Sequence, residues 1–333
     1  MKAAAALALA VTLAPWVSAA PDPSMARLER QLEYLAKTTD ATVGVAALHI
    51  ESGRYVSLNG TEPFPQASAV KVPIAVQIMA LADAGRLSLD KMITLRPSDL
   101  HPGSGRITDL LFHPGVALSI ENIMELAIVI SDNSAADLML REAGGPAAVT
   151  ERMKILGLDG IRVDRSIARL LADWGGIRTL PPESEWTPDM WDRLFAAVPV
   201  AQHMAARRIQ TRDPRDTAAP ADMTKLLARI YRKDMFSPTY ATKLLEVMER
   251  CQTGKTRLKG MLPEGTDVAH KTGSMGGVVN DIGVVTLPGR AGHVAISVFT
   301  KGSARPEEVS ERTVAEISRT IYDYFTLVPA VTK

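Results

Sequence analysis

An α+β fold, with helices set apart from an antiparallel sheet, is what the sequence predicts. Three observations carry it. Two strand-like runs flank Glu51-Ser52-Gly53 near the start, a long middle stretch has helical apolar spacing, and three further strand-like runs precede a last amphipathic helix. The chain has 333 residues, 46% of them hydrophobic, enough to bury the core of one large domain or two interleaved ones.

Residues 1–20 stand apart from the fold. Met1-Lys2 gives a positive end, Ala3 to Val17 an apolar run interrupted by Pro15, and Val17-Ser18-Ala19-Ala20 the small residues of a cleavage site. That is the pattern of a secretory signal peptide. A bilayer span needs about 20 apolar residues, so the segment is expected to be removed, leaving a periplasmic or secreted chain with no membrane contact. The single cysteine, Cys251, excludes an internal disulfide and reads as a core residue. A net charge of +1 gives no electrostatic case for nucleic acid. His49, His101, His113, His203, His270 and His293 show no pair at metal-ligand spacing, so packing or surface roles are expected for all six. No metal or other cofactor is expected, and a monomer is.

The mature chain opens with a helix over residues 24–37, with Ser24 placed to cap it and Met25, Leu28, Leu32 and Leu35 on one stripe. Strands over 42–50 and 54–58 read as an antiparallel hairpin. A helix follows over 69–84 and stops at Gly85. The middle, from 87 to about 231, reads as mostly helical, including an apolar helix over 120–130 and another from near Ser134. Strands over 267–274, 278–285 and 293–300 and a helix from 305 to about 325 close the chain.

The chemistry starts at Ser68 and Lys71, three residues apart where a strand region hands over to a helix. A serine hydroxyl needs a neighbouring base, and Lys71 serves only if burial or nearby cations keep part of it neutral, which predicts a partly desolvated, positive pocket. Backbone N–H groups and the helix dipole at Ser68 favour negative charge there. Ser131-Asp132-Asn133 sits at an interhelical turn, where such residues are often only caps. Lys271-Thr272-Gly273 lies on a strand, and its glycine marks either plain β-surface or close approach of a ligand.

Ser68-x-x-Lys71, Ser131-Asp132-Asn133 and Lys271-Thr272-Gly273, in that order, resemble the signature set of the class A β-lactamases and the related penicillin-binding proteins. Phe64-Pro65, Val129-Ile130, Gly144-Gly145-Pro146, the run from Asp213 to Pro220, Thr253 to Arg257 and Asn280-Asp281-Ile282 look like class A pieces too, so the resemblance covers most of the mature chain. It implies a five-stranded antiparallel sheet with terminal helices packed on it and an all-helical region inserted between the second and third strands, with the active site at the junction. The sheet region would comprise residues 21–65 and 221–333, the helical region 66–220.

The same resemblance implies roles and a small-molecule substrate, a β-lactam or a peptidoglycan-like compound. Ser68 resembles the nucleophile and Lys71 its base. The N–H groups of Ser68 and Ser274 resemble the oxyanion hole. Ser131 resembles the residue that passes a proton to the leaving nitrogen, and Lys271 the cation that tunes it. Asn133 would hold the substrate's amide side chain, while Thr272, Gly273, Ser274 and Arg257 belong to the part that grips its carboxylate. Asp132 and Asp281 look structural.

One family feature is missing. A loop after the helical region carries a Glu-x-x-Leu-Asn that positions the deacylating water. Here Asp164-Arg165 resembles its start and Arg215-Asp216-Thr217 its end, but Ser166 to Leu171 contains no such glutamate, and the stretch between is enlarged, with a helical-looking piece over 188–208. An ordered lid is expected of this loop, near 165–215. Glu183, Glu185 and Asp173 are the candidate replacement bases. Three activities remain open: a β-lactamase, slow if deacylation lacks a base; a DD-peptidase or esterase on the same scaffold; and a sensor that is acylated and stays so.

Overall fold

The computed structural model describes residues 23–328; the signal-peptide reading over 1–20 lies outside them. Five strands form the main sheet: β1 (Thr42–His49), β2 (Tyr55–Leu58), β3 (Val268–Met275), β4 (Val278–Thr286) and β5 (His293–Lys301). They pair antiparallel in the order β2-β1-β5-β4-β3, which makes β3 an edge strand. The β1–β2 hairpin and the three late strands are those predicted from strand-like runs in the sequence.

The sheet is covered on both faces, which is why β4 and β5 are buried along almost their whole length. On one face lie α1 (Pro23–Ala36) and the C-terminal helix, numbered α10 below (Glu307–Leu327), whose Leu28, Leu32, Val314, Ile317, Ile321 and Phe325 pack with Val45, Ile296 and Val298. Ser24 lies inside α1 rather than capping it, and its hydroxyl meets Tyr324 Oη at 2.8 Å. Alternate residues Ala295 and Phe299 of β5 face the other way, into the larger core around α2 (Lys71–Asp83). That helix is apolar on all sides and almost wholly buried, so it forms the axis of the helical half.

Around α2 stand α3 (Ile120–Val129) and α4 (Asn133–Glu142), and the enlarged loop supplies α5 (Ile167–Gly175), α6 (Pro188–Ala197) and α7 (Val200–Gln210). The single helical piece expected over 188–208 is thus two helices. Pro199 cannot continue α6, and it caps α7 instead. The chain returns through α8 (Pro220–Arg232), laid on β5 and β1, and α9 (Pro238–Glu249), against β3 and α2. The helical half is not purely helical: Phe64–Pro65 pairs with Thr217–Ala218, and Met92–Thr94 with Ala117–Ser119. Among the described residues no helix is long and apolar enough to cross a membrane.

The loop is ordered by a core of its own. Ala168 and Ala172 of α5 pack with Ile177, Trp186, Met190 and Trp191. Its two ends are clasped: Arg165 Nε donates to Asp216 Oδ2 at 2.6 Å, and the N–H groups of Asp164 and Arg165 donate to Asp216 Oδ1 at 2.7 and 3.1 Å.

Candidate active site

Ser68 lies in a short 3₁₀ turn, Ala67–Val70, immediately before α2, rather than within one continuous α-helix. Its neighbours on both sides are buried while Ser68 is partly exposed. Ala67 holds φ 46°, a left-handed conformation that costs a non-glycine residue about 1–3 kcal/mol and persists only where the surroundings enforce it. Those surroundings are visible. Asn280 Nδ2 on β4 donates to the carbonyls of Pro65 and Gln66 at 2.8 and 3.0 Å, pinning the run that leads into Ser68. Gly273 on the edge strand lies against the same turn: a Cβ there would stand 2.4 Å from Gln66 O and 3.2 Å from Ser68 N. The glycine is needed for close approach of two backbones.

Lys71 is the first residue of α2 and fully buried. Its Nζ turns to the second motif, donating to Ser131 O (2.6 Å), Ser131 Oγ (3.1 Å) and Asn133 Oδ1 (3.0 Å). Burial first, then the charge of Lys271, holds its pKa well below the ordinary lysine value, against the opposing pull of Asp132 and Asp137. Lys271 is equally buried; its Nζ donates to Ser131 Oγ (3.0 Å) and Thr272 O (2.9 Å), and burial lowers its pKa to about 8. The Ser131 hydroxyl therefore bridges two lysines of depressed basicity.

Asp132 organises the turn, as expected of a structural residue. Its Oδ1 caps α4 through Ala135 N at 2.9 Å, and its Oδ2 takes the N–H groups of Arg106 and Ile107 at 2.6 and 2.8 Å. Ser131 itself holds φ 60°. Asp281 likewise braces the sheet, accepting from Leu258 N at 3.1 Å and meeting His270 Nδ1 at 2.9 Å. Although burial alone would discharge that imidazole, Asp281 raises its pKa to about 9.

Sequence reasoning missed three residues here. Ser104 Oγ donates to Ser131 O at 2.7 Å and Asn133 Oδ1 at 3.3 Å; its only signal was the turn-rich Pro102-Gly103-Ser104-Gly105. Asp137, one helical turn after Asn133, accepts the α5 N–H groups of Ile167 (2.6 Å) and Ala168 (2.9 Å), and its Oδ2 lies 3.2 Å from His101 Nε2. Burial raises its pKa, so the carboxylate that anchors the lid beside Lys71 holds its proton more tightly than an ordinary aspartate.

The three replacement bases are placed less favourably. Asp173 is caught between Arg165 Nη1 (2.6 Å) and Arg215 Nη2 (3.3 Å). Glu183 and Glu185 are exposed on a short turn of the lid, where Glu183 lines a cavity of about 150 Å³ shared with His101, Asp137 and Ser166 rather than with Ser68. The expected substrate-gripping set is also more closed than the sequence suggested. Thr272 Oγ1 pairs with Thr253 Oγ1 at 2.6 Å, and every N–H of the Arg257 guanidinium already has a partner within the protein. Among the described residues no group of three His, Cys, Asp or Glu side chains could hold a metal.

A model of the family described as the beta-lactamase enzyme family matches residues 27–325. Beta-lactamase VEB-1 of Pseudomonas aeruginosa is 27% identical over 306 residues, 90% of each chain. A beta-lactamase of Streptomyces albus G is 29% identical over 305 residues, 90% of this chain and 84% of that one. The crystal structure of a beta-lactamase from Chitinophaga pinensis superposes with a TM-score of 0.73 at 28% identity, covering 89% of this chain and 98% of the other.

Proposed function

Because the chain belongs to the beta-lactamase enzyme family, with the class A fold, we propose that it opens β-lactam rings in the periplasm through an acyl-enzyme on Ser68 and releases the acyl group slowly. The observation that carries the proposal is the Ser131 hydroxyl held between Lys71 and Lys271, at 3.1 and 3.0 Å, beside a half-open serine.

Ser68 Oγ attacks the ring carbonyl carbon while neutral Lys71 takes its proton, directly or through water; the depressed pKa supplies that neutral fraction. The carbonyl oxygen becomes an anion stabilised by the N–H groups of Ser68 and Ser274, a pair in which each donor is worth about 100- to 1000-fold in rate. When the C–N bond breaks, the ring nitrogen takes the Ser131 proton and Ser131 is reprotonated from a lysine, leaving an ester on Ser68. Asn133 holds the substrate's amide side chain. Water must then cleave the ester, and general-base help at that step is typically worth about 100- to 10,000-fold. With Asp173 in ion pairs and Glu183 and Glu185 exposed to solvent, the three candidate carboxylates are poorly placed to serve as that base, which supports slow release.

Incubating the mature protein with a chromogenic cephalosporin while following colour and intact mass tests the reading. The expected record is a stoichiometric burst with a transient adduct, then slow sustained turnover. A permanent adduct without turnover would replace it by the sensor reading, which the same poorly placed carboxylates favour. No adduct, with cleavage of a D-alanyl-D-alanine peptide, would indicate a DD-peptidase.

The pH dependence of acylation follows from Lys271. Its ammonium is charged below about pH 8 and discharged above, so acylation is expected to fall as pH rises through about 8. In Lys271→Arg the guanidinium stays charged, and the fall should move above about pH 10. An unshifted alkaline limb in that variant would assign it to another group.

A further inference from the structure

The Arg257 guanidinium has five N–H donors, and each is in use. Nε donates to Glu311 Oε1 at 3.0 Å, Nη1 to Asn280 O and Gly273 O at 3.0 and 3.3 Å, and Nη2 to Ser274 Oγ and Glu307 Oε1, both at 2.6 Å. Ser274 Oγ in turn donates to the same Glu307 oxygen at 2.8 Å. A protein carboxylate thus occupies the place where an arginine and a serine converge beside the edge strand.

The two acids differ in freedom. Glu307 and Glu311 stand one turn apart on α10, so both face Arg257. Glu311 is 18% exposed and also accepts from Thr256 Oγ1 at 2.9 Å, whereas Glu307, the first residue of the helix, is 50% exposed. Arg257 is 5% exposed, but the Glu307 carboxylate is half in solvent, so its contact is screened and it can turn into water. With Glu307 in place the Arg257 unit carries one positive and two negative charges; with Glu307 turned out, one of each.

We propose that Glu307 is a resident occupant of the substrate-carboxylate subsite, displaced by the carboxylate of an incoming β-lactam, and that its charge reduces the enzyme's preference for anionic over neutral substrates. The idea rests on the reading of Arg257 and Ser274 as the carboxylate-gripping residues. A substrate anion gains Nη2 and Ser274 Oγ only by expelling Glu307, so part of its binding energy is spent on the exchange. A neutral ester has no anion to place there and leaves Glu307 where it is. Glu307 is a specificity-determining residue in this account and touches no reacting atom.

Binding is measured on the Ser68→Ala background, where no acylation interferes, with a cephalosporin bearing its ring carboxylate and with the methyl ester of the same compound. Glu307→Gln keeps an acceptor for Arg257 while removing the charge; it is expected to tighten the free acid about tenfold and to leave the ester within about twofold, with Glu307→Ala changing in the same direction. Equal changes for acid and ester, no change for either, weaker binding of the acid, or no measurable acid binding in any variant would each overturn the proposal. Intact mass of the otherwise wild-type protein with the same compounds separates the two ideas: charge-selective tightening without a Ser68 adduct leaves Glu307 in its role and removes the acylation reading alone.

Discussion

Ser68→Ala is expected to abolish the covalent adduct and to lower kcat/KM on the order of a million-fold, the scale seen when a serine nucleophile is removed from an intact site. The rest of the machinery should survive. Lys71 bonds to Ser131 and Asn133, and the Ser68 turn is pinned by Asn280 and Gly273, so the fold loses only a small, partly exposed hydroxyl. The melting temperature should stay within about 2 °C. Intact mass after incubation with a β-lactam is the measurement, and an adduct on the alanine variant would place the nucleophile elsewhere.

Arg165→Ala should give the largest loss of stability. The guanidinium is 4% exposed and lies within salt-bridge distance of Asp216 (2.6 Å), Asp173 (2.6 Å) and Asp213 (3.2 Å). Removing it leaves the buried Asp216 without its cation and Asp173 and Asp213 with Arg215 alone, for which about 3–5 kcal/mol is typical. In a chain of this size that is a fall of about 10 °C in Tm. The pH dependence has a definite sign. Although burial works against it, the bonds from Arg215 together with Arg165 hold the Asp213 pKa below its ordinary 3.8, so this stabilisation is present above that value and lost as pH falls through the folded pKa. The difference between wild type and variant should therefore shrink only as pH falls below 3.8. Thermal melts across pH are the check, and equal stability at pH 7 would mean that the clasp holds nothing.

The fold was legible because its signals are local. Strand-like runs, the terminal helix and the stop at Gly85, which takes φ +65°, are written in adjacent residues. The three motifs were legible because nucleophile, proton carrier and cation require particular side chains. The direction of Lys71 was not, since its acceptors come from a turn 60 positions away. Asp137 could have been found, standing one helical turn after Asn133, but His101 carries no such spacing signal. Arg257 was read as part of the carboxylate grip because a motif records the donor and not what already fills it. Glu307 lies 50 positions further on, brought in only by the packing of α10.

Chain entropy gives the Arg165–Asp216 clasp a further meaning. Its residues lie 51 positions apart, yet the helical half meets that length as a loop whose two ends are fixed side by side. Closing a flexible loop costs only about 0.6 kcal/mol more for each doubling of its length. Helices α5 and α6 also bring their own apolar core, so they cover part of their ordering cost themselves. A clasped loop of this kind can be lengthened, shortened or rebuilt at small thermodynamic cost to the site it covers. The pair that closes it holds the two ends together whatever the loop between them becomes.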